Sequence, residues 1–311
     1  MSSFWVFPGQ GAQQAGMLHQ LPDAPAVHDC LREAAQVLDE DVLALDSPDA
    51  LQATRSVQLC LLIAGVACAR VMQQHGCTPD YVAGLSIGAY PAAVIANALA
   101  FDDALRLVAL RGELMQNAYP QGYGMTAIIG LDQACIETAI ARIHAQDTPV
   151  FLANINADNQ CVIAGSVPAM EQVGRLAKTA GAAAVKRLAV SVPSHCALLA
   201  APAQALADAF ARVRLATPTV RYLSGSTARP ILNIEKLRDD LAFNMCRVVD
   251  WRSTVQTAYE RGVRLQIEMP PGTVLTGLAR KVFEQGTAVA FQGARLDSLV
   301  ALSREEGTRN P

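Results

Sequence analysis

Short apolar runs alternate with longer stretches of helical periodicity along most of this chain. Residues 4–7 (Phe-Trp-Val-Phe) read as a strand that runs into Pro8-Gly9-Gln10-Gly11, a turn-forming segment. Apolar positions then recur at helical spacing in Val27, Leu31, Ala34, Val37 and Leu38, and a second helix is predicted over 57–75, stopped by Gly76. Residues 81–85 are the next strand candidate. Helices near 87–98 and 103–117 follow, the latter with Asp102 placed to cap it. Strand then helix, repeated, predicts an α/β fold with a parallel sheet.

From 125 to 188 the pattern changes. A strand over 125–130, a helix over 133–145 capped by Asp132, strands over 150–155 and 160–164, a helix over 168–180 between Ser166 and Gly181, and a strand over 183–188 give the order βαββαβ. That is the split-βαβ or ferredoxin-like unit. A small domain over 125–189 is therefore expected inside a large α/β domain formed by 1–124 and 190–311, with the reactive cleft where the two meet. Beyond the insert the pattern gives a helix over 197–213, strands near Val220 and over 265–268, a final helix over 273–285, and a frayed tail over 305–311.

Composition narrows the function. The 311 residues carry 25 Lys and Arg against 28 Asp and Glu, a formal charge of -3, with no basic run, so no overall field draws the chain to nucleic acid or to an anionic membrane. Aromatics make up only 5% of the chain, which suits helices packed over a buried parallel sheet better than a β-sandwich. Its eight cysteines show neither a C-x-x-C pair nor metal-ligand spacing and read as reduced thiols of a cytoplasmic protein with no metal site. The opening residues lack the charged and long apolar regions of a secretory signal. Residues 81–101 hold no charge and are long enough to span a bilayer, but Gly84, Ser86, Gly88, Pro91 and Asn97 interrupt them, and a strand, a tight turn and a buried helix explain the same composition.

The chemistry concentrates at two places. Gly84-Leu85-Ser86-Ile87-Gly88 is a G-x-S-x-G pentapeptide between a predicted strand and a predicted helix. In such a nucleophile elbow the glycines permit a strained turn that lifts the serine hydroxyl clear of the sheet, and the following helix supplies an N–H for developing negative charge. Of the five histidines, His28, His75 and His144 fall within or at the ends of helices and His19 in a loop, whereas His195 lies in the polar turn Val190-Ser191-Val192-Pro193-Ser194-His195 between the insert and the large domain. It is the candidate base. A serine with a histidine equally describes an esterase, and the same fold could persist as a non-catalytic subunit.

These motifs, with Phe7-Pro8-Gly9-Gln10-Gly11-Ala12-Gln13, Arg111-Gly112-Glu113-Leu114-Met115 and Pro271-Gly272-Thr273-Val274-Leu275-Thr276-Gly277, resemble the malonyl-CoA:acyl carrier protein transacylase family over nearly the whole chain and in the family's order. The resemblance implies an α/β-hydrolase-like large domain, Ser86 as nucleophile and His195 as base. It further implies an oxyanion hole of the Gln10 and Ile87 N–H groups, with the histidine steadied by backbone carbonyls around 247–251 rather than by Asp250. Arg111 would grip the malonyl carboxylate with two charge-assisted hydrogen bonds, where the residue pattern alone suggests an exposed arginine paired with Glu113 or Asp103. Gln58 and Asn156 align with polar pocket residues.

The implied partners are malonyl-CoA, as substrate rather than cofactor, and an acyl carrier protein with a phosphopantetheine or phosphoribosyl-dephospho-CoA arm. Where relatives have G-H-S-x-G-E, this chain has Leu85 and Ala89. The runs 84–94, 18–22 and 118–125 look closest to the acyltransferase (epsilon) subunit of bacterial malonate decarboxylase, which would add that carrier and the other decarboxylase subunits as partners.

Overall fold

The computed structural model describes residues 2–119 and 121–308; Met1, Pro120 of the run 118–125, and the last three residues of the expected tail lie outside it. Its strands are β1 (Ser2–Phe7), β2 (Tyr81–Gly84), β3 (Tyr123–Ile129), β4 (Val150–Ala157), β5 (Gln160–Ser166), β6 (Ala184–Arg187), β7 (Arg221–Leu223), β8 (Pro230–Ile231), β9 (Val249–Asp250), β10 (Val263–Glu268) and β11 (Thr287–Ala290). The helices are α1 (Pro25–Leu38), α2 (Thr54–Gln74), α3 (Ala89–Ile95), α4 (Phe101–Ala118), α5 (Gln133–Ile143), α6 (Val167–Thr179), α7 (Ala200–Phe210), α8 (Ile234–Phe243), α9 (Trp251–Glu260), α10 (Val274–Ala279) and α11 (Leu296–Thr308).

Two sheets form, making the fold mixed α/β. The larger runs β11-β10-β1-β2-β7-β8, parallel except for the β7/β8 pair. Strand β1 lies near its centre and is buried on both faces, Trp5 and Phe7 against α2 and its neighbours, Phe4 and Val6 against Trp251 and Leu275. Continuous apolar runs such as residues 4–7 are what a strand covered by helices on both sides requires. The smaller sheet runs β6-β3-β5-β4-β9, antiparallel apart from β4/β9, with α5 and α6 packed on one face through Ile136, Met170 and Val173. Its last strand, β9, arrives from the C-terminal part of the chain.

Helix α2 is the only described helix long and apolar enough to cross a membrane, and 89% of its most apolar window is buried inside the protein, where it forms a central core element. The uncharged residues 81–101 divide into β2, a turn and α3, as the glycines and Pro91 require.

Several sequence expectations need correction. Helix α4 starts at Phe101, whose ring is drawn into the core, so its N-cap is Ala100 and Asp102 sits in the first turn, facing the positive helix end and Arg106. Helix 197–213 divides into a 3-10 turn (Ala197–Leu199) and α7. Helix 273–285 ends at Ala279, and the chain continues through β11 into α11, which keeps residues 305–308 helical rather than frayed.

Candidate active site

Ser86 stands at the C-terminal end of β2, the end at which open parallel sheets gather their ligands. Its backbone is left-handed, φ 58°, as a sharp strand-to-helix turn demands. The turn is possible only because its neighbours lack side chains. A Cβ on Gly84 would lie 1.8 Å from the Gly88 carbonyl carbon, and one on Gly88 would lie 2.2 Å from the Phe7 carbonyl oxygen. Gly9 in turn packs onto Leu85, where a Cβ would meet a Leu85 methyl at 2.6 Å. The two Gly-rich motifs are thus one packed unit, and the loop carrying Gln10 is held beside the serine. Neither the Gln10 N–H nor the Ile87 N–H has a hydrogen-bond acceptor among the described residues.

Arg111 projects from α4 into this turn and is fully buried. Glu113, its suspected partner, instead binds Arg55 at 3.1 Å, and Asp103 pairs with Arg106 at 3.6 Å. Among the described residues no carboxylate pairs with Arg111. Its guanidinium donates through Nη1 to Gln58 Oε1 (2.7 Å) and through Nη2 to Asn244 Oδ1 (3.2 Å) and Ser86 Oγ (3.3 Å), while Nε has no partner. Tyr90 lies beneath it, ring centroid 5.9 Å from the guanidinium carbon. Burial holds the Arg111 pKa below its ordinary value. Retaining so buried a cation without an anion costs several kcal/mol, by the order-of-magnitude penalty for desolvating an ion, a cost that a negative group brought to the guanidinium would offset.

His195 follows β6 in the segment crossing between the two sheets and is nearly fully buried, with φ 64°. Its N–H donates to Met245 O at 2.7 Å. Ring Nδ1 faces two carbonyl oxygens, Asn244 at 2.8 Å and Arg247 at 3.2 Å. Two acceptors require a proton on Nδ1, so Nε2 carries the lone pair. Burial, with the nearby Arg111 charge as the second cause, pushes the imidazole pKa down to about 4, which keeps the ring neutral at physiological pH. Of the other histidines, His19 pairs with Asp46, His28 with Asp23, and the His144 ring faces the Val150 carbonyl.

The carbonyl support begins at Asn244, three residues before the expected segment 247–251. Asp250 takes no part; its side chain caps α9 by accepting from Ser253 N at 3.0 Å. Asn244, missed in the sequence, is the hub. Its carbonyl receives His195, its Oδ1 receives Arg111, and its Nδ2 donates to Ser86 O at 3.3 Å. The one signal available was a lone amide in the apolar run Leu241-Ala242-Phe243-Asn244-Met245.

Ser86, His195 and Arg111 are thus joined through one asparagine, with Gln58 attached through Arg111 and Gln10 and Ile87 alongside. The structure does not bring Asn156 into this cluster. It lies on β4, bordering a separate cavity of about 330 Å³ with Arg252 and Tyr259, and its Oδ1 is unpartnered.

A serine on a strained elbow, a neutral imidazole and backbone N–H groups without acceptors are chemically suited to acyl transfer, and the acyl transferase domain family, which matches residues 4–309, makes the protein an acyltransferase. The malonyl CoA-acyl carrier protein transacylase of Escherichia coli O157:H7 is 40% identical over 293 residues, covering 92% of this chain and 94% of that one. Among solved structures, an acyl carrier protein S-malonyltransferase from Vibrio cholerae superposes with a TM-score of 0.90 at 39% identity, covering 96% of this chain and all of that one. A malonyl-transacylase solved with a type II polyketide acyl-carrier protein superposes with a TM-score of 0.91 at 38% identity, covering 98% of this chain and all of that one. The chain belongs to the malonyl-CoA:acyl carrier protein transacylase family.

Proposed function

We propose that the protein moves a malonyl group from malonyl-CoA to the thiol of an acyl carrier protein bearing a phosphopantetheine arm, through an ester on Ser86. The observation that carries this reading is the buried Arg111, without a carboxylate partner, 3.3 Å from the serine hydroxyl. A malonyl thioester ends in a carboxylate one methylene beyond the carbonyl under attack, so its anion binder must sit beside the nucleophile, as Arg111 does.

His195 Nε2 takes the proton as Ser86 Oγ bonds to the thioester carbon, and the Gln10 and Ile87 N–H groups hold the oxyanion. The C–S bond breaks and His195 returns the proton to CoA, which leaves as the thiol. The carrier thiol then repeats the sequence against the malonyl ester. Gln58 keeps Arg111 aimed, whereas Asn156, at the separate cavity, has no role in this reading. The reaction needs neither metal nor organic cofactor and runs in the cytoplasm, where both thioesters occur. In the same reading 1–124 and 190–311 form an α/β-hydrolase-like large domain and 125–189 a ferredoxin-like insert, a division supported by the order β3-α5-β4-β5-α6-β6.

A second reading keeps the chemistry and changes the carrier. Leu85 and Ala89, with the runs 84–94, 18–22 and 118–125, favour the phosphoribosyl-dephospho-CoA carrier of a malonate decarboxylase and association with its other subunits. The transacylase relatives, at 40% identity over nearly the whole chain, weigh for the phosphopantetheine carrier. The deciding experiment supplies malonyl-CoA with each carrier in turn. Faster malonylation of the phosphopantetheine carrier is expected, a preference for the other selects the second reading, and release of free malonate with neither carrier loaded makes the protein a hydrolase.

A further inference from the structure

The resting site holds its nucleophile in a contact that does not lead to attack. Ser86 Oγ accepts from Arg111 Nη2, and no hydrogen bond joins it to His195 among the described residues, although Nε2 of that ring is unoccupied. The two protons of Nη2 go to Ser86 and Asn244, one proton of Nη1 goes to Gln58, and Nε has no partner among the described residues. A carboxylate that takes both N–H groups of one guanidinium edge, Nε with Nη2 or Nη1 with Nη2, must use a proton of Nη2. Of the two acceptors there, Ser86 holds the longer bond and turns about a single torsion, whereas Asn244 is also fixed through its Nδ2 and its carbonyl.

We propose that Arg111 restrains Ser86 in the unliganded enzyme and that the carboxylate of the incoming acyl group releases it, so that recognition of the charged acyl chain and freeing of the nucleophile are one event. This rests on the reading of Ser86 as nucleophile and Arg111 as carboxylate binder, and adds to it how an uncharged acyl group is refused. Such a group leaves the Arg111–Ser86 contact in place, with one lone pair of Oγ engaged and no hydrogen bond from the hydroxyl to Nε2 among the described residues. The carboxylate also cancels a positive charge that weakens His195 as a base. Discrimination then falls on the acylation rate and not on thioester binding alone.

The test splits malonyl into two pieces. Full-length protein is treated with acetyl-CoA alone, with acetyl-CoA plus formate, and with acetyl-CoA plus formamide, which has the shape of formate without its charge. Acetyl-Ser86 is followed by intact mass and peptide mapping, and malonyl-CoA in a parallel sample establishes that Ser86 is acylated at all. Formate should raise the initial rate of acetyl-Ser86 formation roughly tenfold or more, the order expected for a charge-assisted hydrogen bond, and formamide should not. In Arg111→Met the formate effect should vanish. If malonyl-CoA labels Ser86 while formate leaves the acetyl rate unchanged, lowers it or yields no adduct, the restraint is refuted and the nucleophile assignment stands. If malonyl-CoA leaves Ser86 unlabelled, that assignment fails and the restraint with it.

Discussion

The Nδ1–H of His195 donates to the main-chain carbonyl of Asn244 at 2.8 Å, and the side chain of the same asparagine touches both Arg111 and Ser86. One residue thereby sets the tautomer of His195 through its backbone and the position of Arg111 through its amide. Asn244→Ala keeps the carbonyl and removes the amide. Malonyl transfer should fall by about tenfold to a hundredfold, the order expected when a hydrogen bond to a charged group is lost. His195, probed by the rate of modification with diethyl pyrocarbonate, should keep its reactivity.

Asp250 offers the opposite test. It is the acid that a search for a Ser-His-Asp triad would choose, yet its carboxylate caps α9. Asp250→Ala should leave acylation by malonyl-CoA within about threefold while costing about 1 kcal/mol of stability, the usual loss for an N-cap. Thermal unfolding and single-turnover acylation measured on the same preparation separate the two effects.

Arg111→Met should lower malonyl transfer by about a hundredfold or more, from the loss of two charge-assisted hydrogen bonds, and should keep or raise acetyl transfer. Because the arginine is buried without an anion, an apolar replacement of similar length removes an uncompensated charge, and the melting temperature should hold or rise. Equal loss for both acyl groups would make Arg111 a structural residue.

The pH dependence follows from the direction of the His195 shift. In the proposed mechanism its neutral form is the reactive one, and burial followed by Arg111 pushes its pKa down to about 4. The acid limb of kcat/KM for malonyl-CoA should therefore lie near that value, with no loss through the ordinary histidine range. In Arg111→Met, measured with acetyl-CoA, the limb should move to higher pH, since a lowering charge has gone. Stability should decline as pH falls from the ordinary histidine pKa of about 6.5 toward the folded value, because the unfolded chain takes up the proton first.

Much of the fold was legible because burial imposes periodicity. Residues 4–7 and 81–84 are continuous apolar strands, α1 carries an apolar stripe, and Asp132 caps α5 as its position suggests. What escaped was set by tertiary contacts. Helix α8 is short and largely charged, β9 is a two-residue strand that exists through pairing with Asn154 and Ile155, and β11 and α11 follow a helix that stops early. Ser86, His195 and Arg111 announce themselves by side-chain chemistry. Asn244 supports His195 through a carbonyl that every residue possesses, so no side-chain pattern encodes it, and the isolation of Arg111 from Glu113 depends on Arg55 being nearer.

The acyl-serine mechanism stands or falls on the identity of the acylated residue. Full-length protein mixed with malonyl-CoA without a carrier, then examined by intact mass and peptide mapping, should carry one malonyl group on Ser86, and folded Ser86→Ala should carry none. A malonyl adduct of equal yield in Ser86→Ala, or one mapped to another residue of the wild-type chain, would contradict it.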